Sequence, residues 1–186
     1  MAYPNQTFIE EIVNAARGCW ALVIGRQDVA SYFDFSQRGL IGSLIAVLIA
    51  ILLAAFGPML TGVTMPSGMP TQSVIVNGAL FFAQAAMAWI VLRQMGRQDG
   101  FVPYLVASNW VTLFSGTLLL ISTLFGEIGI GILLAVVVLA LLTFINIGRF
   151  IVTLKPIQIG LLFISQAVGV FLALGIVAIL LPAMAV

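Results

Sequence analysis

The chain of 186 residues is 62% hydrophobic and 7% charged, with a net charge of +1, no histidine and one cysteine. A soluble domain carries about 25% charged residues, so this chain has too little polar surface to fold in water. So small a net charge gives no basis for nucleic acid as a partner. With no His, a zinc or iron ligand cluster, a Ser-His-Asp or Cys-His arrangement and a haem axial His are excluded, and no cofactor is expected. Cys19 is alone, so no intramolecular disulfide can form.

Glu10 and Glu11 precede any apolar run, which argues against a cleaved signal peptide. From Thr7 to Ile24 the residues Phe8, Ile9, Ile12, Val13, Ala16, Trp20, Val23 and Ile24 recur at helical spacing, while Glu10, Glu11, Asn14 and Arg17 take the other face. That pattern predicts an amphipathic helix opened by a Thr7/Glu10 capping box. It can lie in the headgroup layer, dock its apolar stripe on a bundle, or do both. Tyr32, Phe33 and Phe35 then place aromatic rings where a membrane interface is expected.

Residues 1–38 therefore read as an interfacial segment and 39–186 as a five-helix transmembrane domain, all-α throughout. Each span needs about 20 apolar residues to cross roughly 30 Å of hydrocarbon. The expected spans are residues 39–60, 73–92, 101–125, 128–147 and 157–181. In the first, Gly42, Ala46, Ala50 and Ala54 recur every four residues and predict a smooth packing stripe. The segment from Thr61 to Gln72, with Gly62, Pro66, Gly68 and Pro70, reads as an irregular loop. The second span carries Asn77 and Gln84 one heptad apart. Pro103 lies in the first turn of the third, where a missing N–H does no harm. That span is rich in hydroxyls and amides, and Ser108, Asn109, Thr112, Ser115 and Ser122 predict a polar stripe facing protein or water. Gly126 and Glu127 alone separate the third and fourth spans and predict a tight antiparallel hairpin. The fourth span brings Asn146 near its end. The fifth carries Gln166 and a second small-residue stripe, Ser165, Gly169 and Ala173, before Pro182 ends it.

The seven basic residues fall in alternate connections: Arg17, Arg26 and Arg38 before the first span, Arg93 and Arg97 after the second, Arg149 and Lys155 after the fourth. Short loops rich in Lys and Arg stay in the cytoplasm, which orients the N-terminus inside and the C-terminus outside, as in a bacterial cytoplasmic membrane. With Trp20, these cations form the expected cytoplasmic interface.

All six acids lie outside the apolar cores, and no phosphate-cradling glycine loop occurs, so an enzyme is not expected. Asn77, Gln84, Ser108, Asn109, Thr112, Asn146 and Gln166 remain as the intramembrane polar set. Such residues usually bind helices together, contributing about 0.6 to 2 kcal/mol each at most. If Asn77, Gln84, Asn109 and Asn146 met in one hydrated cavity, they would instead line a conduction path.

Five spans behind an amphipathic N-terminal region, with the run Gly100-Phe101-Val102-Pro103-Tyr104-Leu105 entering a polar third span and the short Gly126-Glu127 turn, resemble the Yip family of Rab-interacting membrane proteins and their bacterial relatives in layout. The Asp-Leu-Tyr-Gly-Pro run of the eukaryotic members is missing, so the resemblance transfers no functional residue. It implies a non-enzymatic role in membrane organisation, trafficking or assembly. The expectation is thus a scaffold or accessory subunit whose partners are membrane lipids, other membrane proteins or a second copy of itself. A small oligomeric transporter or channel subunit is the alternative.

Overall fold

The computed structural model describes residues 7–125 and 128–180, so Gly126, Glu127 and Pro182 lie outside the described residues. Thr7 caps helix α1 (Phe8–Val23) reciprocally. Its amide donates to Glu10 Oε2 at 2.7 Å, and the Glu10 amide donates to its hydroxyl at 3.3 Å. A 3-10 turn at Val29–Tyr32 leads to α2 (Gln37–Leu60), capped by Ser36. Asp34 braces that cap, accepting from the Ser36 amide and hydroxyl at 2.9 Å each.

Helix α3 (Met69–Gln94) begins earlier than the composition of its N-terminal flank suggested. Gly68 takes a φ of +88° just before it, and Pro70 occupies the first turn, where its missing N–H leaves no unmade bond. Residues read as loop punctuation therefore start a helix. After a 3-10 turn at Gln98–Gly100 comes α4 (Phe101–Ser122), then α5 (Ile128–Asn146) and α6 (Pro156–Leu180). Helix α5 widens into a π-helical turn at Ile147–Ile151. The chain is all-α among the described residues, with five helices long and apolar enough to cross a membrane, plus α1.

The tightest helix pairs are α2 with α4 and α3 with α6, with α4–α5 and α2–α3 contacts completing the bundle. Helices α2 and α4 run in the same direction, since Ser43 meets Asn109 toward one end and Gly57 meets Leu120 toward the other. The contiguous core belongs mostly to the end carrying the basic residues. There Leu22, Val29, Leu92, Trp110, Ile147, Val152 and Leu162 are fully buried. Helix α1 packs against α2, α4 and α5 at this end. It lies alongside these helices rather than beyond their ends, reaching the third turn of α4: the Phe8 and Trp110 ring centroids are 6.3 Å apart.

Gly42, Ala46 and Ala50 are buried in α2, but Ala54 is exposed. Each four-residue step overshoots one helical turn by about 40°, so three steps turn Ala54 about 120° from Gly42. Gly57, covered by the Leu120 side chain, takes up the close approach to α4 further along. In α6, Gly169 and Ala173 are buried and Ser165 half-buried. A Cβ at Gly169 would lie 2.7 Å from Met87 Cγ and 3.3 Å from the Ala83 carbonyl oxygen, so this face is seated closely on α3.

Candidate functional site

The helix directions bring every basic connection to one end of the bundle. Arg97 ties two of them together, donating from Nη1 to the Thr153 carbonyl at 2.9 Å and from Nη2 to the Thr153 hydroxyl at 2.6 Å. It also reaches the Val152 carbonyl. These acceptors are free because the π turn ends there and Thr153 adopts a left-handed φ of +56°. Arg97 is thus a structural clamp and only partly open to its surroundings. Arg17, Arg38, Arg93, Arg149 and Lys155 are exposed, and so is Arg26, which forks onto the Asp28 carboxylate at 2.9 and 2.5 Å. The Arg26 hydrogen bond holds that carboxyl below the usual range. Arg26, Arg93 and Arg149 each sit over an aromatic ring, those of Tyr32, Trp89 and Phe150, at 5.8, 5.1 and 5.0 Å from the centroid. Their guanidinium groups are therefore held at the apolar boundary. Beside Arg149 an apolar groove of about 770 Å³ runs between α5 and α6, walled by Leu141, Phe144, Leu154, Ile159 and Phe163.

Helix α1 turns a different face to the bundle from the one its apolar pattern suggests. Glu11, Ala15, Gly18, Ala21 and Leu22 are buried, while Ile9, Val13, Trp20 and Ile24 stay exposed, Trp20 by 66%. Small residues win because the approach is close: a Cβ at Gly18 would lie 2.7 Å from the Phe33 ring. The bulky stripe is left outward, beside Arg17. Asn146 anchors the far end of α1, donating from Nδ2 to the Leu22 carbonyl at 2.7 Å. Cys19 lies on the same helix, and burial pushes its thiol up to about 12.

Asn77, Gln84, Asn109 and Asn146 do not converge in one cavity. Asn77 donates to the Ser73 carbonyl of its own helix at 2.8 Å. Asn109, 2% exposed, donates to the Ser43 hydroxyl at 3.1 Å and joins α4 to α2. Asn146 serves α1, and Gln84 lies elsewhere, on α3. A different set converges instead. Gln84, Tyr104, Ser108, Thr112, Thr143 and Gln166 line a cavity of about 440 Å³ bounded by α3, α4, α5 and α6. Gln166 Nε2 donates to the Tyr104 hydroxyl at 2.8 Å and to the Gln84 carbonyl at 3.4 Å. Among the described residues no Asp, Glu, Lys or Arg lines this space. The polar stripe of α4 is mostly self-satisfied. Ser108, Thr112, Thr117 and Ser122 each donate back to a carbonyl three or four residues earlier, so Thr112 can stay exposed without an unmade bond.

Sequence reasoning missed Tyr104 and Thr143 in the cavity, Ser43 as the partner of Asn109, and Glu11 in the α1 interface. The last had a signal: Glu11, Ala15, Gly18 and Leu22 follow i, i+4, i+7, i+11 spacing, a face made narrow by its small residues. The fold and the basic end together define a five-span helical membrane protein. Comparisons with protein-family models, curated proteins and solved structures return no match.

Proposed function

We propose that this protein is a non-catalytic scaffold or accessory subunit of a bacterial cytoplasmic membrane, with its basic end in the cytoplasm, engaging anionic lipid headgroups and partner helices there. The observation that carries this reading is the pairing of faces on α1. Its small-residue face is buried, and the apolar stripe of Ile9, Val13, Trp20 and Ile24 is left uncovered beside Arg17. An apolar stripe next to cations suits the boundary between acyl chains and anionic headgroups. The groove between α5 and α6 repeats that chemistry, with Arg149 at an apolar trough. The Yip-like layout supports the same class of role. The Lys/Arg distribution supports the orientation.

Native mass spectrometry of the protein released from nanodiscs containing phosphatidylcholine and phosphatidylglycerol tests the lipid arm. Retention of phosphatidylglycerol above its share of the nanodisc is expected, and Arg149→Gln combined with Arg93→Gln should lower it. Equal retention of both lipids by wild type and variant would end this reading.

The cavity of about 440 Å³ among α3 to α6 favours a second reading, a small oligomeric transporter or channel subunit. Ala140→Phe narrows that cavity. Under the transport reading it abolishes ion or proton flux across proteoliposomes; under the scaffold reading wild-type and variant vesicles are equally tight.

A further inference from the structure

Glu11 is the one buried acid among the described residues, 8% exposed, and its Oε1 has no hydrogen-bond partner there. Its carboxyl group lies flat against Gly42 of α2, where any Cβ would collide with both oxygens and the carboxyl carbon. Gly42 is five residues into α2, about 8 Å from its start, so the acid sits inside the bundle rather than on its rim. The charged groups facing it are Asp34, from the connection before α2, and Arg38, from the first turn of α2. Arg38 is exposed and makes no ion pair with Glu11. Helices α4 and α5, which also flank α1, carry no Asp, Glu, Lys or Arg, and the 3-10 turn packed against α1 brings only the Tyr32 phenol.

An ionised carboxylate without hydrogen bonds in such a place is far costlier than a neutral acid. We infer that Glu11 is a proton-binding site: its carboxyl carries a proton while α1 is seated in the Gly42 notch, and loss of that proton loosens α1 from α2. Burial, then Asp34, push the carboxyl above the usual range against the opposing pull of Arg38. The docked state therefore binds the proton more tightly than the released state. Docking is strongest at acid pH and weakens as pH rises through the raised value. The inference is independent of what the basic end engages, because it concerns only how α1 is held.

The first test is infrared difference spectroscopy of the full-length protein in phosphatidylcholine–phosphatidylglycerol vesicles, wild type against Glu11→Gln. A protonated-carboxyl band that persists above the ordinary carboxyl range as pH is raised, present in the wild type and absent in the variant, is expected; identical spectra would overturn the inference. The second uses Cys19, the only thiol in the chain, as a reporter of α1. The ratio of wild-type to Glu11→Gln alkylation rates cancels the ionisation of the thiol itself. Between the ordinary carboxyl range and the raised value that ratio should climb by up to about tenfold per pH unit, and above the raised value it should level off. A ratio that stays flat between about pH 5 and pH 9 refutes the coupling. Gly42→Leu fills the notch, so at acid pH its alkylation rate relative to Glu11→Gln should already reach the ratio that the wild type attains only at alkaline pH. If the leucine variant stays as closed as the wild type at acid pH, the notch does not hold the helix.

Discussion

Replacing Gly39 with Ala separates the close-approach glycines from the rest. Gly39 lies in the first turn of α2, and a methyl there would run into the Asp34 carbonyl oxygen, with the carbonyl carbon at 2.7 Å and Asp34 Cβ at 2.8 Å. The obstacle is backbone, and it belongs to the segment that positions Ser36 as the cap of α2. Overpacking costs about 1 to 3 kcal/mol and a lost cap about 1 kcal/mol, for a loss of about 2 to 4 kcal/mol. Relief of glycine's backbone freedom returns about 0.5 to 1 kcal/mol, leaving a net loss of about 1 to 3.5 kcal/mol. Gly116 in α4 is the control, because nothing lies within 4 Å of its added Cβ. Gly116→Ala should stabilise by about 0.5 to 1 kcal/mol, so the two substitutions differ in sign. Reversible unfolding by dodecyl sulfate in mixed micelles, followed by circular dichroism, measures both. Should Gly39→Ala prove as stable as Gly116→Ala, the α2 entry is not packed as described.

Asn109 and Ser43 should couple energetically: a double-mutant cycle through Asn109→Ala and Ser43→Ala is expected to give about 0.6 kcal/mol, and at most about 1.7 kcal/mol, in the same unfolding assay. Additive losses would mean that the bond contributes nothing. Arg97→Lys cannot reproduce the fork onto Val152 and Thr153, so amide exchange across 152–155 should rise nearly as much as in Arg97→Ala. Full protection in the lysine variant would contradict that. In vesicles at about pH 7 Cys19 should alkylate more slowly than an unhindered thiol, and normally once the chain is unfolded, because burial raises its thiol. Labelling of the assembled protein as fast as that of the unfolded chain would refute the half-buried placement of this thiol.

Sequence made the five spans legible because crossing a bilayer depends on the length and composition of each run, and both are local properties. The α1 boundaries were equally readable, since the Thr7/Glu10 cap is built from residues three apart. The rotation of each helix about its axis was not. Apolar and small residues surround these helices on nearly all sides, so hydropathy does not tell the side touching protein from the side touching lipid. That is why Tyr104 and Thr143 joined the cavity unannounced, and why four-residue spacing carried the α2 stripe as far as Ala54. On α1 the bulky apolar stripe gave the stronger signal, whereas contact selected the face with Ala15 and Gly18. The π turn after Asn146 and the left-handed Thr153 answer to Arg97, a residue more than fifty positions away.

The seat of α1 bears on how the molecule is made. Two of its walls, α4 and α5, belong to residues that leave the ribosome long after α1 itself. Helix α1 must wait, its Glu11 side still wet, until the third and fourth spans have been inserted. Closure of that slot is thus a late event in biogenesis, and it reports that the bundle around it is complete.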